Sequence, residues 1–165
     1  MPTELAENFI AESRARLHEG GARLEHCLAQ MSEAQIWWRP AAALNSIGNL
    51  VLHLAGNLRQ RFGSLIGGAP DTRNRDQEFA ERRPIAKDEL LRQLRDALAG
   101  ADAVLTHLGA EQLAEMRRYR GIGRDLDGTV LSVILRSLTH FHGHAQEIVL
   151  LTRWQLGGQY RFLLA

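Results

Sequence analysis

The chain has 165 residues, 45% of them hydrophobic and 24% charged, which suits one compact domain, residues 1–165, with a single core. Twenty Lys plus Arg against nineteen Asp plus Glu leave a formal charge of +1, so neither nucleic acid nor an anionic membrane is expected as the main partner. The single cysteine, Cys27, excludes an internal disulfide, no apolar run approaches the roughly 20 residues that span a bilayer, and Met1 to Glu7 lack the basic start and apolar run of a signal peptide; the expectation is a cytoplasmic protein.

From about residue 4 to 31, Ile10, Leu17, Leu24 and Met31 recur by sevens, with Leu5, Phe9 and Leu28 widening the stripe, which predicts a long amphipathic first helix. Thr3 is placed to cap it, Glu4 and Glu7 suit the positive end of its dipole, and Gly20-Gly21 should weaken or bend it. His18 and His26 lie off the stripe and read as surface residues. Pro40 forbids simple continuation, and Trp37-Trp38 just before it can wall a pocket or bury area, the commoner use of large aromatics.

The second helix opens at Asn45 or Ser46, either of which can cap it, and runs to about Phe62. Asn49, His53, Asn57 and Gln60 follow i, i+4, i+8, i+11, a polar stripe in a segment otherwise rich in leucine and valine, so it faces either solvent or a buried site. Gly67 to Pro70 ends the helix. Asp71 to Arg83 is a dense run of charges with one strong apolar anchor, Phe79; it reads as a solvated connection with at most a short helical turn, a pocket lid or subunit contact being the alternative.

A third helix is predicted at about 86 to 108, with Leu90, Leu91, Leu94, Leu98, Leu105 and Leu108 on its apolar face and His107 suiting its C-terminal dipole. Residues 109 to 128 read as a mixed segment, with a short helical piece around Glu111 to Met116 and a turn at Arg120 to Asp125; Gly121 and Gly123 lack the further glycine, lysine and preceding strand of a phosphate loop. Thr129 to Leu156 is the fourth long helix, stopped by Gly157-Gly158. In the tail, Tyr160, Phe162 and Leu164 alternate, which suggests an extended arm packed on the domain or on a partner.

Three of the seven histidines, His140, His142 and His144, fall within five residues of that fourth helix. At about 100° per residue His140 and His144 share a face, while His142 points roughly 160° away from both. An i, i+4 histidine pair can hold two corners of a divalent metal's coordination sphere, and His53 is the best donor of a third. Four long amphipathic helices argue for an all-α four-helix bundle, whose interior commonly builds metal sites from facing helices. If the second and fourth helices are neighbours, His53, His140 and His144 form a facial set that leaves positions open for water or substrate, the pattern of a catalytic rather than a structural metal. A pair of packed or solvated histidines is the other reading of the same spacing. Glu147, on the ligand face, can be a fourth ligand, a base toward water, an acceptor for a histidine N–H, or an ordinary exposed glutamate.

The segments Ser46 to Leu54 and His140 to Ile148 resemble the two histidine motifs of the DinB/YfiT-like superfamily, and Asn74 to Phe79 with Leu156 to Tyr160 resemble an uncharacterised branch of it. That resemblance, which covers nearly the whole chain, implies a four-helix bundle with nickel, zinc or iron on His53, His140 and His144. It also implies a small-molecule substrate, a homodimer, and either metal-dependent hydrolysis or transfer of a low-molecular-weight thiol such as bacillithiol or mycothiol. Relatives often carry glutamine where Glu147 stands. These residues point to a metal-dependent hydrolase whose ion activates water, with Glu147 as base or as the acceptor that orients a ligand histidine. Thiol transfer is the enzymatic alternative, and a non-catalytic metal-binding stress-response module the other.

Overall fold

The computed structural model describes residues 2–121 and 123–163. Helix α1 runs unbroken over Pro2–Ala29. Proline fits a first helical position because its φ is preset and its missing N–H has no partner to lose there, so Thr3 lies inside the first turn instead of capping it. The seven-residue stripe turns inward, burying Leu17, Leu24 and Met31 completely or nearly so.

Gly20 and Gly21 do not break this helix; they are its contact points. A Cβ on Gly20 would stand 2.4 Å from the Phe141 ring, and one on Gly21 2.7 Å from Leu98. The pair therefore lets two other helices approach the α1 backbone, a packing use that composition alone does not distinguish from a flexible joint.

Helix α2 (Glu33–Trp37) is a short turn closed by a Ser32/Gln35 capping box. The two tryptophans divide: Trp37 packs on Gly48 and donates from Nε1 to the Ile85 carbonyl at 3.0 Å, while Trp38 lies on the surface edge-on to Trp154, with ring centroids 6.4 Å apart. Helix α3 (Ile47–Leu58) begins on a second capping box, Ser46 with Asn49, and continues as a π-helical segment over Arg59–Ile66. The wider turn sets Phe62 into the core; Gly67 closes it by donating to the Phe62 carbonyl.

Residues 71 to 86 are the main departure from expectation. They form an Asn74-capped helix, α4 (Arg75–Ala80), that lies against α3 instead of a solvated connection, and the side chains of Arg73 and Glu78 are only 6% and 10% exposed. Helix α5 spans Lys87–Thr106, with Leu90, Leu94, Ala97, Ala101 and Leu105 on its buried face and His107 at its exposed end.

After a 3-10 turn at Ala110–Ala114 comes a hairpin that the sequence reading did not anticipate, β1 (Met116–Arg120) antiparallel to β2 (Asp125–Thr129), with Met116 opposite Thr129 and Arg120 opposite Asp125. Half of its strand residues are charged, so only the weak alternation that half-buries Tyr119 and Leu126 marks it as strand. Ile122, in the expected turn, lies outside the described residues, as do Leu164 and Ala165.

Helix α6 (Val130–Leu156) is capped by Thr129 and stopped at Gly157, whose φ of +51° suits glycine. The tail returns along α1, where the Arg161 carbonyl faces Nε2 of His26 at 2.6 Å and accepts from Nε2 of Gln30. His26 is thus half-buried under the tail, not solvated, whereas His18 is exposed. The four long helices contact one another in the cyclic order α1, α6, α3, α5, around one core, which makes the two histidine-bearing helices neighbours. Among the described residues no helix is long and apolar enough to cross a membrane.

This account of the glycines predicts opposite outcomes for the same substitution. Gly20→Ala must displace the buried Phe141 ring and should destabilise the fold by about 1–3 kcal/mol. Gly100→Ala, mid-helix with open space where its Cβ would go, should stabilise it by about 0.5–1 kcal/mol. Urea unfolding of the two variants beside the wild type checks both signs.

Candidate metal centre

The site is assembled from α3 and α6, with α4 closing it from outside. Leu50, Val51, Leu54, Ala55 and Leu58 hold α3 in the core, and the polar stripe between them is buried too, with Asn49 and His53 at 0% and 4% exposure and Asn57 at 9%. A buried polar group without a partner is costly, and Asn49 and His53 find theirs largely in the charged run. Nδ2 of Asn49 donates to the Glu78 carbonyl at 2.8 Å and the Glu81 carbonyl at 3.1 Å, while its Oδ1 accepts from Arg39 and from Ser46. Nδ1 of His53 lies 2.9 Å from Oε2 of Glu78, and the Phe79 ring rests on the imidazole with centroids 4.6 Å apart.

Glu78 is itself clamped. Arg73 donates from Nε to Oε1 at 2.7 Å and from Nη2 to Oε2 at 2.8 Å, a bidentate pair. Nη2 is also 3.0 Å from Nδ1 of His53, but two N–H donors cannot share that contact. With the carboxylate accepting from both, His53 carries its proton on Nδ1 and presents a bare Nε2 to the interior. Burial pushes the Glu78 carboxyl up, yet Arg73 and His53 outweigh it and hold the group ionised, below the usual glutamate range.

From α6, one turn apart, His140 and His144 converge on His53. Ring centroids are 5.0 Å apart for His53 and His140, 5.2 Å for His53 and His144, and 4.7 Å for His140 and His144. The three rings can offer one nitrogen each within 4.8 Å of the others. Nε2 of His53 is 3.0 Å from Nε2 of His140, a separation close to the roughly 3.0–3.4 Å expected between two nitrogens each about 2.0–2.1 Å from one ion. Nδ1 of His144 lies 2.8 Å from Oε2 of Glu147, so Glu147 contacts a histidine N–H. Nδ1 of His140 is buried with no hydrogen-bond partner among the described residues, a lone pair or N–H that this fold leaves uncompensated.

The electrostatics favour neutral rings. Burial lowers the His53 pKa, with Arg73 adding to the shift against Glu78. Burial together with the charges of His144, His53, Arg73 and Arg61 pushes His140 down to about 4. Three imidazoles with converging nitrogens, two of them, His53 and His140, resisting protonation and two, His53 and His144, with a carboxylate on the far nitrogen, are a donor set that fits a divalent cation. His142 is elsewhere, with Nε2 3.0 Å from the Arg16 carbonyl on α1.

Arg73 and Glu78 were not legible as site residues. Two local signals bear on them: the resemblance carried by Asn74 to Phe79, which spans Glu78 without giving it a role, and the lone apolar ring of Phe79 beside it, which marks the inward side of the run. A cavity of about 360 Å³ between α3, the π segment and this run is lined by Gly56, Gln60, Asp71, Arg73 and Glu78, so it shares the clamp with the cluster but none of the three histidines.

A family model described as a protein of unknown function, DUF1572, matches residues 4–164. The chain belongs to this family. A conserved protein from Enterococcus faecalis, known as a crystal structure, is 20% identical to this DUF1572 chain and superposes with a TM-score of 0.68 over 89% of it and 96% of the relative. The DinB-like protein YjoA from Bacillus subtilis is 16% identical, with a TM-score of 0.68 over 93% and 96% of the two chains. A DinB-like protein from Bacillus cereus ATCC 10987 is 12% identical, at 0.61 over 88% and 91%. At such identities the likeness shows the fold, which is DinB-like. No curated protein matches the sequence.

A depressed histidine pKa has a signature in the metal-free DUF1572 chain. Above about pH 6.5 His140 is neutral folded and unfolded and contributes nothing; as pH falls toward 4 the unfolded chain takes up a proton that the folded one refuses, so stability drops across that window. Carboxylates such as Glu78 add their own loss at acid pH, so the informative quantity is a difference: His140→Gln should flatten the fall between pH 6.5 and 4. Superimposable profiles of midpoint against pH for the two proteins would contradict the neutral-ring assignment.

Proposed function

We propose that this protein is a metal-dependent hydrolase that holds a divalent ion, nickel, zinc or iron, on His53, His140 and His144 and acts on a small-molecule substrate. The observation that carries the reading is the convergence of three imidazoles, on two neighbouring helices, with nitrogens within 4.8 Å of one another. A cation bound there supplies Lewis acidity and brings the pKa of water toward neutrality. Neutral donors leave the ion its full charge, and a three-residue donor set leaves coordination positions for water and substrate.

The protein's own groups have distinct tasks in this reading. The helix spacing of four residues brings His140 and His144 to one face, and the neighbouring α3 supplies His53. Glu147 takes the Nδ1–H of His144, which directs the other nitrogen of that ring inward. Its Oε1 has no hydrogen bond among the described residues, and we assign it as the proton acceptor toward water. Exposed Trp154 and Leu150 on α6, with Trp38 beside them, support assembly of two copies through that face.

Metal content and turnover are tested on one set of purified variants. The wild type should hold one divalent ion per chain; His53→Ala, His140→Ala and His144→Ala should each lose most of it, and His142→Ala should keep it. Glu147→Gln should keep the metal and lose most hydrolysis, by about 10²–10⁴-fold if it is the general base. The activity screen offers water and a low-molecular-weight thiol as nucleophiles, and product formed only with thiol would replace hydrolysis by transfer. Stoichiometric metal in His53→Ala would sink the site, and a monomer mass in solution would sink the dimer.

A further inference from the structure

The charged run from 71 to 83 does more than connect two helices. Helix α4 has no buried residue of its own, and yet the run is held on α3 by a chain of polar contacts that ends on His53. Asn49 takes two of its carbonyls, Gln60 accepts from Nη1 of Arg73 at 2.9 Å, and Arg73 grips Glu78 with two hydrogen bonds. Space for this has been cleared on α3. A Cβ on Gly56, one turn after His53, would stand 2.0 Å from Oε1 of Glu78 and 3.2 Å from Nε of Arg73, so the absent side chain is the seat of the carboxylate.

We propose that Glu78 is a positioning residue for the three-histidine site: seated over Gly56 and clamped by Arg73, it locks His53 with the proton on Nδ1 and the Nε2 lone pair facing His140. The inference rests on the metal-binding reading above, and its physical basis is tautomer choice. A neutral imidazole can place its single proton on either nitrogen, and only the Nδ1–H form leaves Nε2 free to ligate. A carboxylate on Nδ1–H selects that form and raises the basicity of the ligating nitrogen.

Arg73 makes the requirement sharper. Its Nη2 is already 3.0 Å from Nδ1 of His53. Without the Glu78 carboxylate that guanidinium can donate to Nδ1, which forces the ring proton onto Nε2, the ligating side. The same loss leaves the arginine's positive charge uncompensated beside a cation site. Glu78 therefore works twice, by accepting from His53 and by turning Arg73 away from it.

Two variants separate this role from a structural one. Glu78→Ala removes the acceptor; Gly56→Ala keeps every charge and every imidazole and only displaces the carboxylate, so it remains informative if the first variant folds poorly. The first readout, nitrogen-15 NMR of the histidine rings in the metal-free protein, needs neither metal nor activity. It should find His53 as the Nδ1–H tautomer in the wild type, shifted toward Nε2–H in Glu78→Ala and no longer held as Nδ1–H in Gly56→Ala. The second readout, zinc affinity against a chelator, should fall about 10–100-fold in both. Wild-type tautomer and wild-type affinity in both variants would overturn the proposal, as would an Nε2–H His53 in the wild type. If the wild-type chain bound no zinc the three-histidine reading would fall instead, and the tautomers in the three proteins would still decide whether Glu78 orients the ring.

Discussion

Two buried polar side chains one turn apart on α3, Asn49 and His53, set the terms for the rest of the molecule. Helix α3 is walled by leucine and valine, so neither side chain can turn to water, and an unpaired polar group there costs on the order of 1–3 kcal/mol. Their partners come largely from the run that follows the helix, by way of the Glu78 carboxylate and two backbone carbonyls, with Arg39 and Ser46 completing the set around Asn49. A run of charges with almost no apolar content is thereby brought onto the bundle, and Gly56 gives up a side chain to admit it. The candidate site and the docking of α4 are one structure.

The same logic explains why two of the three histidines carry a carboxylate and the third does not. His53 and His144 each have the far nitrogen engaged, by Glu78 and Glu147, whereas Nδ1 of His140 is enclosed without a partner. An imidazole in that condition is poorly served by the protein alone. Its lowered pKa is the electrostatic expression of the same enclosure: protonation would add a positive charge to a half-buried ring already facing two other imidazoles and Arg73. A site so arranged resists protons and offers lone pairs, which is what a divalent cation requires of its ligands.

How much of this was legible in the sequence differs by element. The four long helices and the shared face of His140 and His144 follow from periodicity, because apolar stripes and an i, i+4 pair are local patterns; their meeting with His53 needs the two helices to be neighbours, which the spacing leaves open and the family resemblance implies. The resemblance to DinB-like proteins extended to the fold, and chains only 12–20% identical superpose on it with TM-scores of 0.61–0.68, so the fold survives nearly complete change of sequence. Arg73 and Glu78 were illegible because a charge run has no period to read, and its partners on α3 are some twenty residues away in sequence. Gly20-Gly21 were misread for a related reason: a glycine pair that admits Phe141 and Leu98 is written no differently from one that bends a helix. The β1–β2 hairpin, half charged and with few apolar residues, shows too little alternation to stand out, and the π turn after Leu58 shifts the very periodicity that marks a helix.

The central claim is that three histidines from two helices jointly hold one ion, and X-ray absorption at the metal edge addresses it most directly. Measured on the zinc- or nickel-loaded wild-type chain, the spectrum should show three imidazole nitrogens at about 2.0–2.1 Å, with no sulfur in the first shell. A first shell containing sulfur, or one with no imidazole scattering, would contradict the account.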